Sequence, residues 1–177
     1  MFINNFDPVA FVVFSIEIRW YSLAYIFGIL IGWLIIKKFL DKDQKDFKNL
    51  DDLLTYIILG IILGGRLGYV IFYNPHFYLN NFSEIFMIWK GGMSFHGGLI
   101  GVITGTYVFS KKNHINPYIF LDLISLVAPI GIFFGRVANF LNSELYGKET
   151  AVTWGVTFTM VDNLPRHPSQ LYEAGFE

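Results

Sequence analysis

Apolar residues come in long unbroken runs, separated by short polar stretches. Four runs approach the roughly 20 residues that a bilayer-spanning helix needs. The first, Trp20 to Ile36, has no charge, and the second, about Leu53 to Tyr73, is broken only by Arg66. The third, Gly91 to Ser110, holds one histidine, His96, and no Asp, Glu, Lys or Arg. The fourth, about Pro117 to Leu141, carries Asp122 and Arg136. All four are expected to be helices, giving an all-α, polytopic inner-membrane bundle with a small periplasmic segment at 142–169. The whole of 1–177 reads as one transmembrane domain. The first run is too long for a signal-peptide core, and no A-x-A-like cleavage site follows it.

Composition sharpens this picture. Of 177 residues, 54% are apolar and 15% charged, against about 25% charged in an ordinary soluble chain. Mean hydropathy is +0.48. So little charge cannot cover the surface of so apolar a soluble protein. Cysteine is absent, which excludes disulfides, thiolate metal sites and a cysteine nucleophile of the chain's own. A net charge of −1 gives no reason to expect nucleic acid.

The positions of the lysines say more than the net charge. Lys37, Lys38, Lys42, Lys45 and Lys48 follow the first run, Lys90 alone lies between the second and third, and Lys111 and Lys112 follow the third. Positive loops stay cytoplasmic. The N-terminus, the second loop and the stretch after Asn142 are therefore expected outside, which in a bacterium is the periplasm or the outer face of the membrane.

Small residues recur at spacings of four: Gly28 and Gly32; Gly60, Gly64 and Gly68; Gly97, Gly101 and Gly105; Gly131 and Gly135. That spacing lines one helix face, where another backbone can approach closely. These ridges predict tight helix packing rather than chemistry. Residues Gln170 to Glu177 read as the start of a further helix, and the chain is expected to be the N-terminal part of a longer one.

Ionisable groups at membrane depth are costly and so are candidates for function. Arg66 is offset by roughly 200° from the Gly64 and Gly68 ridge, at about 100° per residue. It is either a snorkelling arginine or a functional one. His96, between Gly91-Gly92 and Gly97-Gly98, either bonds a neighbouring helix or accepts a proton near neutral pH. The densest cluster runs from Gly135 to Gly147. In it Arg136, Asn139 and Phe140 share a helix face, followed by Asn142 and Glu144. Such a set suits either a capped helix end or an anionic head group gripped by guanidinium. His96 and Arg136, each near the outer end of its run and each beside glycine, are expected to face one cavity. A second polar cluster spans Arg166 to Glu173. There is no G-x-S-x-G elbow and no zinc or calcium ligand spacing.

Six segments in order resemble the family of bacterial phosphatidylglycerol–prolipoprotein diacylglyceryl transferases. They are Phe6-Asp7-Pro8; Arg19-Trp20-Tyr21; Gly64 to Val70; Gly92 to Leu99; the hallmark G-R-x-G-N-F-x-N-x-E-x-x-G at Gly135 to Gly147; and Arg166 to Glu173. Ala138 replaces the usual hallmark glycine, and Lys148 to Leu164 is short for the family. The resemblance implies seven spans, four of them here, so part of the site would lie outside these 177 residues. It also implies transfer of diacylglycerol from phosphatidylglycerol to the lipobox cysteine of a preprolipoprotein, releasing glycerol phosphate. The substrate thiol is then the nucleophile. His96 would be the base and Arg136 would stabilise the leaving phosphate. Asn139, Glu144, Tyr21 and Arg66 would bind phosphatidylglycerol, and no metal or organic cofactor is expected. A non-catalytic lipid-binding or transport protein is the alternative. It would be expected to carry inverted repeats, and none is visible. Another phospholipid transferase, such as an acyltransferase, fits the hallmark less well.

Overall fold

The computed structural model describes residues 1–14, 16–42 and 50–177. Lys45 and Lys48 lie outside them. The described residues form two compact units, one of 1–39 with 124–177, the other of 40–123. Among the described residues, three helices are long and apolar enough to cross a membrane: α1 (Trp20–Lys42), α2 (Leu50–Phe72) and α5 (Pro117–Leu141). Two predicted runs thus extend: α1 reaches six residues past Ile36, and α2 begins three before Leu53.

The third run is shorter as a helix than expected. Here α4 covers Phe95–Lys112 rather than starting at Gly91. Gly91 (φ 82°, ψ −170°) and Gly92 (φ 83°) occupy left-handed backbone that no helix continues through. Before them come α3 (Pro75–Asn80) and two 3₁₀ turns, Phe82–Phe86 and Ile88–Lys90. Ser94 caps α4 by accepting from Gly97 N at 3.2 Å.

In the 40–123 unit, α2 and α4 run antiparallel with their glycine ridges in contact. A methyl group on Gly105 would lie 2.5 Å from Tyr56 O, and one on Gly68 2.9 Å from Gly97 Cα. Gly60 and Gly101 approach closer still, as do Gly64 and Gly97. Gly101→Ala should therefore force the helices apart and cost about 1–3 kcal/mol, the usual penalty of overpacking. Gly98 faces more open space, its nearest neighbour being Ile61 O at 4.0 Å. Gly98→Ala should leave stability unchanged or slightly raised, since alanine is the better helix former. Melting both variants in the same detergent checks the contrast; equal melting temperatures would remove the close approach.

In the other unit α1 and α5 are antiparallel. A methyl on Gly28 would lie 3.0 Å from Gly131 Cα, and one on Gly32 3.2 Å from Val127 Cγ2. Continuing that register toward the start of α1 brings Tyr21 beside Asn139.

Short strands flank these helices, where only helices and connections were expected. β1 (Phe2–Asn4) pairs parallel with β4 (Val156–Phe158), which pairs antiparallel with β5 (Pro165–Arg166). β2 (Val9–Val13) and β3 (Ile16–Arg19) form an antiparallel hairpin. Phe140, Val156 and Phe158 make a small core, with Leu141 and Val161 against it. The hairpin leads straight into α1, and the joint is fixed by Trp20 N to Pro8 O (3.2 Å) and Trp20 Nε1 to Asp7 O (3.0 Å). Finally α6 covers Ser169–Phe176, as expected for the last residues.

Candidate functional site

The hallmark segment is shaped by how α5 ends. Ser143 takes the left-handed conformation, φ 57°, one residue beyond the helix cap. Its N–H donates to Phe140 O at 3.2 Å, and Glu144 N donates to Asn139 O at 2.9 Å. These are the two bonds of a Schellman end, which satisfies the last helical carbonyls. The turn folds the chain back on itself. Glu144 thereby returns to Asn139, and Asn139 Nδ2 donates to Glu144 Oε2 at 3.2 Å. The five-residue spacing of this amide and carboxylate thus has a backbone cause.

The buried amide of Asn139 also donates to the Tyr21 hydroxyl. Tyr21, Asn139 and Glu144, three predicted lipid-binding residues, therefore form one hydrogen-bonded chain. Two buried amides brace it. Asn4 Nδ2 donates to Phe140 O at 2.7 Å, and Gln170 Nε2 donates to Glu144 O at 2.5 Å. The strand-forming N-terminus and α6 thus hold the end of α5 from two directions.

Arg136 lies one turn before Asn139 on α5. Its Nη2 pairs with Glu173 Oε2 at 2.7 Å. Its Nε is buried and has no hydrogen-bond partner among the described residues. Buried donors are nearly always satisfied, so an orphaned guanidinium N–H marks a place for an acceptor. Asn142 Oδ1, Ser143 Oγ and Gln170 Oε1 are also buried without partners. Neither Glu173 nor Gln170 was picked out from the sequence as part of this cluster. The signal was their helical spacing, which puts them on one face of α6.

Arg166 is occupied elsewhere. It bonds Asp162 through Nε and Nη2, lies 3.6 Å from Glu149, and stacks over Tyr146 at 5.0 Å. The Arg166 hydrogen bond holds the Asp162 carboxyl below its usual range. This pair is therefore complete above the ordinary carboxylate range and is lost only as pH falls below it. His167 lies 3.2 Å from the Tyr172 hydroxyl, which also accepts from Trp154 Nε1 at 2.8 Å.

In the 40–123 unit, His96 is exposed in the first turn of α4, its ring edge-on to Phe95 at 5.7 Å between centroids. Arg66 lies in the same unit but is turned inward. It is 4% exposed, and each of its five N–H groups meets a backbone carbonyl. Nε donates to Ile85 O (2.9 Å), Nη1 to Gly91 O (2.5 Å) and Gly92 O (3.1 Å), and Nη2 to Glu84 O (2.6 Å) and Met87 O (3.3 Å). In this conformation no N–H remains for a lipid phosphate.

Apolar helices with an arginine, two amides and a carboxylate gathered at a helix end define a membrane protein equipped to hold a polar, anionic group. Comparison with known proteins gives this class a family. The model for prolipoprotein diacylglyceryl transferase matches residues 8–177. A relative from Rickettsia canadensis (strain McKiel) is 49% identical over 179 residues, covering 100% of this chain and 69% of that protein. One from Rickettsia felis (strain ATCC VR-1525 / URRWXCal2) is 49% identical over 175 residues, 98% of this chain and 68% of the relative. One from Rickettsia bellii (strain OSU 85-389) is 51% identical over 175 residues, 98% of this chain and 66% of the relative. All three carry the name phosphatidylglycerol–prolipoprotein diacylglyceryl transferase. This chain belongs to the prolipoprotein diacylglyceryl transferase family, and it spans about two thirds of the length of these relatives.

Proposed function

We propose that the protein transfers the diacylglyceryl group of phosphatidylglycerol to the lipobox cysteine thiol of preprolipoproteins, and that Arg136 holds the lipid phosphate. The observation that supports this best is the buried, unpartnered Nε of Arg136, one turn from the Tyr21–Asn139–Glu144 chain. A phosphate oxygen is the acceptor that such a donor lacks. Asn139, Glu144 and Tyr21 then hold the glycerol head beside it.

In the reaction, the cysteine sulfur attacks the glyceryl carbon that bears the phosphate ester. The S–C bond forms as the C–O bond breaks, and glycerol phosphate leaves with the electron pair. Charge grows on the bridging oxygen, where a guanidinium in a low-dielectric site stabilises it. A thiol with pKa near 8.5 is mostly protonated at neutral pH, so a base assists. His96 is that base and takes the thiol proton. Arg66, whose donors all face carbonyls, leaves the lipid-binding set.

The helices cross the membrane four times, as four of the seven spans that the family resemblance implies. The N-terminus and residues 142–169 face the periplasm. α4 is included because it runs antiparallel along α2, itself a candidate span. The lysines after α1 and at the end of α4 set the orientation. A single cysteine at position 49, outside the described residues, should react with an impermeant reagent only after cells are permeabilised. Labelling in intact cells would reverse the topology.

Activity itself is tested with the intact enzyme, phosphatidylglycerol vesicles and a lipobox peptide. The peptide should gain a diacylglyceryl mass as glycerol phosphate appears. Lipid bound without any change in the peptide would mean a lipid-binding protein instead.

A further inference from the structure

We propose that Arg66 is a positioning residue for His96, acting as a clasp on the loop that delivers it. This rests on the reading of His96 as the base. A phosphate-binding arginine presents its N–H groups outward, and a snorkelling one sends them to the head groups. Arg66 does neither, because its five donors close on the carbonyls of Glu84, Ile85, Met87, Gly91 and Gly92. The Tyr78 ring covers the guanidinium at 5.3 Å.

These carbonyls belong to the two 3₁₀ turns and the glycine pair before α4, where Glu84 O also accepts from Met87 N at 3.2 Å. Satisfying them fixes the path of the backbone into α4. Arg66 holds Gly91 and Gly92, and its neighbour Gly65 accepts from Ser94 N at 2.9 Å. Ser94 then caps α4, and His96 follows two residues later. The approach to His96 is therefore pinned at both ends by consecutive residues of α2. Gly91 makes the path possible, since φ 82° with ψ −170° is a region open essentially to glycine alone.

The test is Arg66→Lys in the intact enzyme. Lysine keeps the charge, but an ammonium has three donors and no planar fork, so it cannot close on five carbonyls. Amides of 84–96 should lose hydrogen-exchange protection while the rest of α2 keeps its own. Misplacement of a reacting group by about 1 Å costs on the order of 10²-fold in rate, so kcat should fall by about that factor. KM for phosphatidylglycerol should stay within about twofold, because uniform binding is untouched.

A raised KM with unchanged kcat would overturn the proposal and return Arg66 to the lipid. Wild-type behaviour in both would also overturn it. Should Arg66→Lys fail to fold, Gly91→Ala decides. A methyl there meets no atom within 4 Å, so the change strains only the backbone path. The same kcat-selective loss supports the clasp, and wild-type kcat refutes it. His96→Ala tests the underlying reading separately. Retained transfer there discards His96 as base and any action of Arg66 through it. Lost transfer in His96→Ala, with wild-type kcat in Arg66→Lys, discards the clasp alone.

Discussion

Arg136→Lys in the intact enzyme is expected to lower kcat by about 10²-fold while leaving the fold intact. The ion pair to Glu173, at 2.7 Å, can be kept by an ammonium. The second donor cannot, because lysine has no equivalent of the buried Nε that lacks an acceptor. If phosphate completes that site, lysine holds it as a point charge and loses the fork that can grip two oxygens. Losing one preorganised donor to a developing oxyanion costs about 3 kcal/mol, and a loss confined to the transition state falls on kcat. A purely structural arginine predicts the opposite pattern, with turnover kept and melting temperature lowered. Transfer rate and melting measured on the same membranes separate the two. Near wild-type turnover by a well-folded variant would take Arg136 out of the mechanism.

The parts of this molecule that were legible in the sequence are those governed by local periodicity. Apolar runs gave α2 and α5 nearly to the residue, and glycine spacing gave the faces on which α2 meets α4. Where the prediction slipped, a longer-range interaction had decided. The start of α4 moved from Gly91 to Phe95 because two left-handed glycines carry carbonyls that Arg66 consumes. β1 carries no local signal, because its partner β4 lies about 150 residues away, in the pairing of Phe2 with Val156. The hairpin of β2 and β3 is marked only by a run of Val, Phe and Ile, with no Gly, Asn or Asp between the strands.

The candidate site divides in the same way. Arg136, Asn139 and Glu144 stood out because polar residues at the end of an apolar helix are costly. The fold adds the reason for their spacing, a Schellman end that returns Glu144 to Asn139. Arg66 stands out for the same cost, but its donors face backbone carbonyls. Cost identifies a residue that must have partners, and only geometry shows whether those partners are backbone carbonyls or a ligand. Glu173 and Gln170 looked like members of a separate cluster because α6 follows α5 by some thirty residues. In the fold they reach the Arg136 cation and the Glu144 carbonyl.

Asn139→Asp should be more damaging than Asn139→Ala, although aspartate matches asparagine in shape. Asn139 acts through its Nδ2, which donates to both the Tyr21 hydroxyl and Glu144. Alanine removes that donor from the Tyr21 hydroxyl and from the exposed Glu144 carboxylate, at about 1 kcal/mol. An ionised aspartate removes the donor as well and sets a second carboxylate against Glu144. Like charges at that distance, with the new carboxylate itself buried at position 139, add a further penalty. Transfer by Asn139→Asp should therefore fall by 10²-fold or more, and below that of Asn139→Ala in the same membranes. Asn139→Ala should lose about tenfold. If Asn139 serves only to fill space at the end of α5, the order reverses, since the isosteric aspartate packs where alanine leaves a hole. Measured kcat/KM for the two variants, normalised to the amount of folded enzyme, gives that order directly. Aspartate outperforming alanine would dissolve the Tyr21–Asn139–Glu144 chain as a functional unit.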